Sequence, residues 1–563
     1  MSANKQSPSQ TNTSPKTQAA AREKPVLLGF MVQRRNAQGR MTLGFRWGRI
    51  AALLCFLFVG SWLSIAALLY FYFKYQHDFA DVSFSNMVTL PFRMDEHRLE
   101  MGTFHIEEGL AALERGDGRT AFNKLRVGIL RAPRHLQGRN VLAEIYEFGW
   151  QRADLATEAM IDGLRFGGDE DVNFLRRTVS LLLRHQMDEK MQEIADRYIV
   201  PGRTGEGKML NQILAFGAAR ANHYRGNFDR AEAYLRDYEL NASVEGILLT
   251  AQINWDRGQR KTAINQLEDA LRQFPNSEPI ILQLSRYHRE ENNLDRARRY
   301  AILRSATNPL AIAPRVELLY IYKASNADER AEREALQILR QFREDEAAIT
   351  SLANFAADTG NINLARRTYQ LALENDYMNS AFALLLIEAH IVAKDYSGAT
   401  VFADELVVEN PAWLESRSSI FNSLRAVATF AVGREDLAQI YLQNFLNAQD
   451  VRVQTFLAVA RRLESIDRPH ESQRVLATAY RRNPGNQSAL TELIRLEIAL
   501  GNSNEVPHLL RRLLTMRRPS TTVIAEAYRS LGSDRFIFAS DRQALLLELS
   551  NALRDANVRL PES

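Results

Sequence analysis

Residues 202–209 read Gly-Arg-Thr-Gly-Glu-Gly-Lys-Met, which nearly spells a phosphate-binding loop. In such a loop backbone N–H groups cradle phosphates, the lysine reaches them, and a Ser or Thr after the lysine holds magnesium. Met209 has no oxygen for the metal, and the residues before Gly202 carry a helical pattern where that loop needs a buried strand. An inserted loop is the simpler reading, and no nucleotide cofactor is expected. The ten histidines show no metal-ligand spacing; His288, His390 and His508 each stand alone. The only cysteine, Cys55, lies inside an apolar run, so the rest of the chain has no thiolate nucleophile, disulfide or thiolate–metal framework. No nucleophile elbow or zinc-binding helix signature is present. The chain therefore reads as a non-enzyme with no cofactor, no metal and no small-molecule substrate.

Charge narrows the partners. The net charge is +4, but residues 1–49 carry +8, residues 50–98 carry −1 and the remainder −3, so the large C-terminal part lacks the positive field of a phosphate-backbone binder. No nucleic acid is expected as a partner. Arginine doublets such as Arg298-Arg299, Arg366-Arg367, Arg461-Arg462 and Arg481-Arg482 read as solvated helix faces pairing with nearby acids.

What positions the remaining candidates is a question of elements. A chain of 563 residues exceeds one ordinary core, and 46% apolar with 25% charged residues is the mixture of a folded chain. Residues 2–24 have no apolar side chain larger than alanine and cannot offset the entropy of ordering. Residues 1–49 are accordingly expected to be a disordered basic tail. Residues 50–73 are uncharged and mostly apolar, and as a helix would reach ~36 Å, enough to cross a ~30 Å hydrocarbon layer. Trp47 on one side and Tyr70, Tyr72 and Tyr75 on the other suit an aromatic belt. Absence of a small-residue cleavage site over 74–80 favours a retained transmembrane helix over a signal peptide. Nine basic residues precede it and only Lys74 follows within 18 positions, which places the N-terminus in the cytoplasm and the rest outside. The ratio of 61 Arg to 10 Lys is common in GC-rich bacterial genomes, so the outer side is read as periplasm. Residues 74–98, with Pro91 and little periodicity, read as a linker.

From Met101 onward the pattern is helical, and it repeats. A small residue recurs at Ala121, Ala156, Ala231, Ala263, Ala297, Ala331, Ala365, Ala399, Ala438 and Ser472, with weaker members Met191 and Val506, at spacings of 32 to 40 residues and most often 34. Five residues earlier stands a turn former in Gly116, Gly226, Gly258, Asn292, Asn326, Gly360, Gly433 and Gly501, able to take the left-handed conformation that ends a helix. Twelve residues later a proline stops the second helix at Pro133, Pro275, Pro309, Pro411 and Pro484. Twelve residues earlier another small residue, in Gly109, Ala219, Ala251, Ser285, Ala353, Ala426 and Ala460, lets paired helices approach closely. The period predicts about twelve helix–turn–helix units over 99–520, with capping helices over 521–563.

These residues resemble the tetratricopeptide repeat family. The resemblance implies an all-α, right-handed helical-hairpin solenoid, here preceded by one transmembrane helix. It also implies that proteins or peptides bind along the concave face, lined by first helices. Carried over by register, that face offers Arg220, His223 and Tyr224; Gln252, Trp255 and Asp256; Arg286, Arg289 and Glu290; then Asn354, Asp358 and Glu388. A tryptophan flanked by arginines suits a peptide or helix ligand. Where some family members grip a C-terminal carboxylate, this chain has Ile106, Phe216, Leu248 and Leu282, which disfavours that ligand. The expected role is a membrane-anchored scaffold for a bacterial envelope assembly, secretion or polysaccharide-export complex. The alternatives are a non-catalytic accessory subunit of a membrane enzyme and a cytoplasm-facing adaptor or receptor.

Overall fold

The computed structural model describes residues 24–27, 30–35, 41–76, 79 and 82–555. The expectations for residues 1–23 and 556–563 lie outside that range. The chain divides into two compact units, Met1–Gly167 and Gly168–Ser563.

In the first unit, part of the stretch expected to be a tail forms an antiparallel sheet of three strands, Lys24–Val26, Met31–Arg35 and Met41–Phe45, with Met31 opposite Phe45 and Arg35 opposite Met41. The expectation of a disordered tail over 1–49 fails at these strands, because the polar composition that motivates it stops at Lys24. In the third strand apolar Met41, Leu43 and Phe45 alternate with Thr42 and Gly44, and Asn36 and Gly39 supply turn-forming types between the two longer strands. Trp47–Phe71 is a helix long and apolar enough to cross a membrane, and most of its side chains are exposed. The expected linker is also structured. It holds a short helix, Phe84–Val88, and a 3-10 turn, Leu90–Phe92, and the first long helix of the repeats already begins at Met94.

Among the described residues, twelve antiparallel helical hairpins follow one another from Met94 to Leu514. The first pairs Met94–Glu114 with Gly118–Arg131, and the second pairs Leu136–Glu144 with Ala153–Gly163; both belong to the first unit. The other ten run from Val172–Arg184 with Asp188–Tyr198, the third, to Gln487–Leu500 with Val506–Leu514, the twelfth. Helices Thr521–Gly532 and Arg542–Asp555 close the second unit.

Local chemistry explains where each hairpin turns. All eight expected turn formers take positive φ, from +54° at Asn326 to +83° at Gly226, and so do Gln151, Gln186, Lys394 and Asp467, which hold the same place in the other four units. Asp117, Asn293, Asn361 and Asp395 then cap second helices by accepting from a backbone N–H three residues on. Helices ending at Gln273, Thr307, Glu409 and Arg482 each stop two residues before a proline. The paired small residues are buried, Ala219 and Ala231 or Ala353 and Ala365 among them, and this lets the helices of a hairpin meet closely. From the ninth hairpin to the closing helices the buried apolar side chains form one continuous core, which no single hairpin could build.

Candidate partner-binding groove

The residues chosen by register fall into three groups. The first ties neighbouring helices together. Arg220, on the fourth hairpin's first helix Glu206–Arg225, donates to Gln252 Oε1 at 3.0 Å, and Gln252 lies on Val244–Asp256 of the fifth. His223 is buried, with Nε2 2.8 Å from Asp256 Oδ2. Trp255 lies flat on Tyr287 of the sixth hairpin, ring centroids 3.8 Å and planes 3° apart, and the Arg260 guanidinium covers it at 5.2 Å. Burial pushes the Tyr287 phenol well above its ordinary range. These side chains bond chiefly to one another, with His223 Nδ1 and Tyr287 Oη buried beside them without a hydrogen-bond partner. The second group, Arg286, Arg289 and Glu290, is exposed on Glu278–Glu290, while exposed Asp358 accepts from Tyr320 Oη at 2.6 Å.

The third group, Asn354 and Glu388, lines a groove of about 510 Å³ that sequence reasoning reached only at its edge. Its walls are the first helices of four successive hairpins, the eighth to the eleventh: Glu346–Asp358, Asn379–Val392, Ser418–Ala431 and Val453–Ser465. Leu384, Leu385, Ile420, Leu424 and Val459 give it an apolar floor, and Arg417 stands at its rim. Glu388 and Arg462 pair across it at 3.0 Å, bridging the ninth and eleventh hairpins past the tenth. Arg462 Nε is itself buried without a hydrogen-bond partner, as are His223 Nδ1 and His390 Nε2 elsewhere in the array. A second hollow, of about 570 Å³ between second helices of the tenth and eleventh hairpins, mixes polar Gln443, Asn447 and Arg474 with Leu446 and Ala477. Part of its wall, Arg474 with Gln439 and Gln443, is already hydrogen-bonded internally. The missed residues were findable. The row occupied by Asn354 and Glu388, one place past the small residue, continues to Val427 and Arg461, beside Arg462. The apolar floor itself, Leu384, Leu385, Ile420, Leu424 and Val459, lies off that row, where apolar types look like ordinary core.

The near-phosphate loop connects the third hairpin to the fourth, and Lys208 Nζ is held by Glu239 at 2.7 Å. Among the described residues no group of three or more His, Cys, Asp or Glu is placed to hold a metal ion.

No protein-family model and no curated protein matches the chain. Among solved structures it is similar to a tetratricopeptide repeat protein from Parabacteroides merdae, at 15% identity over 45% of this chain and 97% of that one, with a TM-score of 0.28. It is similar to yeast Tom70 at 12% identity, over 68% of this chain and 96% of that one, TM-score 0.31. Pseudomonas aeruginosa pilF is similar at 17% identity, over 44% and 94%, TM-score 0.24. These superpositions are loose, and the all-α hairpin array stands on its own repeat geometry.

The array of the second unit also meets itself. Arg517, just past the twelfth hairpin, grips Asp188 of the third with Nη2 and Nε at 2.7 and 2.9 Å, and donates to Leu183 O at 2.7 Å. Its guanidinium lies 3.9 Å from the Tyr224 ring centroid, and Arg518 N donates to Tyr224 O at 2.8 Å. Arg225 completes the clasp on Thr515 O at 3.3 Å. Tyr224, expected to face a partner, is held by the chain's own far end.

Proposed function

We propose that the protein is a membrane-anchored interaction scaffold, holding a partner protein through the groove of the eighth to eleventh hairpins. The observation that carries this is an apolar floor flanked by the charged Glu388, Arg417 and Arg462, on helices fixed by their neighbours. An apolar anchor with a few placed polar groups is the make-up of a binding hot spot. In this reading the helix Trp47–Phe71 spans the membrane. The excess of basic residues before it keeps the N-terminus cytoplasmic, and the repeats serve an envelope assembly, secretion or export complex from the periplasm.

Photo-crosslinkers at Leu385 and Ile420 in intact membranes test the groove, with one at Arg481 as control. They are expected to capture a common partner that Arg462→Glu abolishes and that Trp255→Ala, Arg286→Glu leaves in place. Loss only in the second variant would move the site to the fifth and sixth hairpins. A periplasm-dependent reporter at Ser563 that stays silent would overturn the orientation.

A further inference from the structure

The uncharged run of 24 residues is longer than a hydrocarbon layer requires: ~36 Å of helix against ~30 Å. The chain after it doubles back. Phe84–Val88 lies against the helix Trp47–Phe71, where Trp62 Nε1 donates to Val88 O at 2.9 Å and Phe84 meets the Tyr70 ring edge-on at 6.3 Å. Trp62 lies eleven positions before Phe73, about 16 Å along a helix from the end of the apolar run. On its inner side the fold-back is sealed by Ala66, Phe79, Val82, Met87 and Met101. Its outer side is mainly oily, with Phe84, Pro91, Phe92 and Met94 exposed, Phe92 by 86%, beside the small hydroxyl residues Ser85 and Thr89. The polar groups of this segment bond within the chain: Asn86 N to Ser83 Oγ, Thr89 Oγ1 to Ser85 O, and Arg93 Nη1 to Asn86 Oδ1 at 2.6 Å. Exposed charge resumes at Asp95, Glu96 and Arg98.

Non-helical backbone at membrane depth is tolerated only where protein satisfies its polar groups, because acyl chains offer neither donor nor acceptor. The Trp62 indole N–H and the Val88 carbonyl answer that requirement for each other. We propose that residues 84–92 form a wedge inserted into the leaflet on the repeat side, with Phe84, Pro91 and Phe92 against lipid acyl chains. The wedge takes up the surplus length of the span and fixes the first hairpin close to the membrane surface. The occupant is lipid because the oily face continues that of a helix whose apolar side chains are mostly exposed, Phe56, Phe58 and Leu68 among them. This rests on the membrane-anchor reading above.

The full chain carrying Cys55→Ala and one of Leu57→Cys, Phe92→Cys or Phe148→Cys is labelled with a polarity-sensitive fluorophore. It is then placed in phosphatidylcholine–phosphatidylglycerol vesicles. Labels at 57 and 92 are expected to be quenched by nitroxides on acyl chains and spared by aqueous iodide, and the label at 148 the reverse. Adding Trp62→Phe, which orphans the Val88 carbonyl, is expected to shift the label at 92 toward iodide. Lipid quenching at 57 with iodide quenching at 92 overturns the wedge and leaves the span standing. Iodide quenching at both overturns wedge and span together. A label at 92 shielded from both quenchers means protein covers it, and that too overturns the wedge.

Discussion

His288 shows how a repeat interior can respond to acid. It is buried on the sixth hairpin, its ring parallel to Tyr300 at 5.5 Å, and burial lowers its pKa, helped by Arg296 and opposed by Glu268 and Glu291. The neighbouring Tyr300 phenol is pushed up to about 12, again chiefly by burial. A base whose folded pKa is depressed is neutral in both states well above its unfolded value of about 6.5 and carries no penalty there. As pH falls through that value the unfolded chain takes up a proton that the native state resists. Stability is therefore lost, levelling off only below the folded pKa. His97 and His105 in the first unit shift in the same direction for the same main reason. The urea midpoint of the protein is expected to drop between pH 7.5 and 5.5, and His288→Gln to shrink that drop. An unchanged drop in the variant would remove His288 from the account.

Each hairpin turns on one left-handed residue, and this is where the sequence was most and least readable. Glycine or asparagine advertises that conformation, so eight turns could be placed from residue types alone. Gln151, Gln186, Lys394 and Asp467 do the same work without advertising it, because packing of the flanking helices imposes a φ that their Cβ resists. Lys394→Gly is expected to raise stability by about 0.5 kcal/mol, the relief of Cβ strain less the added freedom of the unfolded chain. Gly360→Ala is expected to lower stability by about 1–2 kcal/mol from its left-handed φ alone. Its φ is +66°, and a Cβ there would lie 2.9 Å from Ala393 N. Urea melts of the two variants check both signs. The same logic explains the groove. Its row on the first helices was legible from the period, but the order of binding elements along it was not. Arg220, Gln252 and Trp255 look like a binding face until their neighbours are seen to occupy them. The strands before the membrane helix were missed for a different reason: runs of three to five residues give periodicity little length to declare itself.

Across the whole second unit, stability depends on more than neighbouring hairpins. Asp188 is almost wholly buried, and Arg517 supplies two of its hydrogen bonds from beyond the twelfth hairpin. Removing Arg517 leaves the buried Asp188 carboxylate with only the Arg225 guanidinium, 3.5 Å away, so Arg517→Ala is expected to cost about 2 kcal/mol, and far less when Asp188 is replaced as well. Denaturation of the two single variants and the double variant measures that coupling. Additive losses would show that the two residues act separately.

An open stack of repeats melts from its tips inward, since the outermost members have a neighbour on one side only. The Arg517–Asp188 clasp gives the third hairpin a second neighbour, 329 positions away along the chain. Fraying at the beginning of that unit is thereby tied to fraying at its finish. Amide exchange near Leu183 should quicken when Arg517 is lost, although every adjacent residue is untouched.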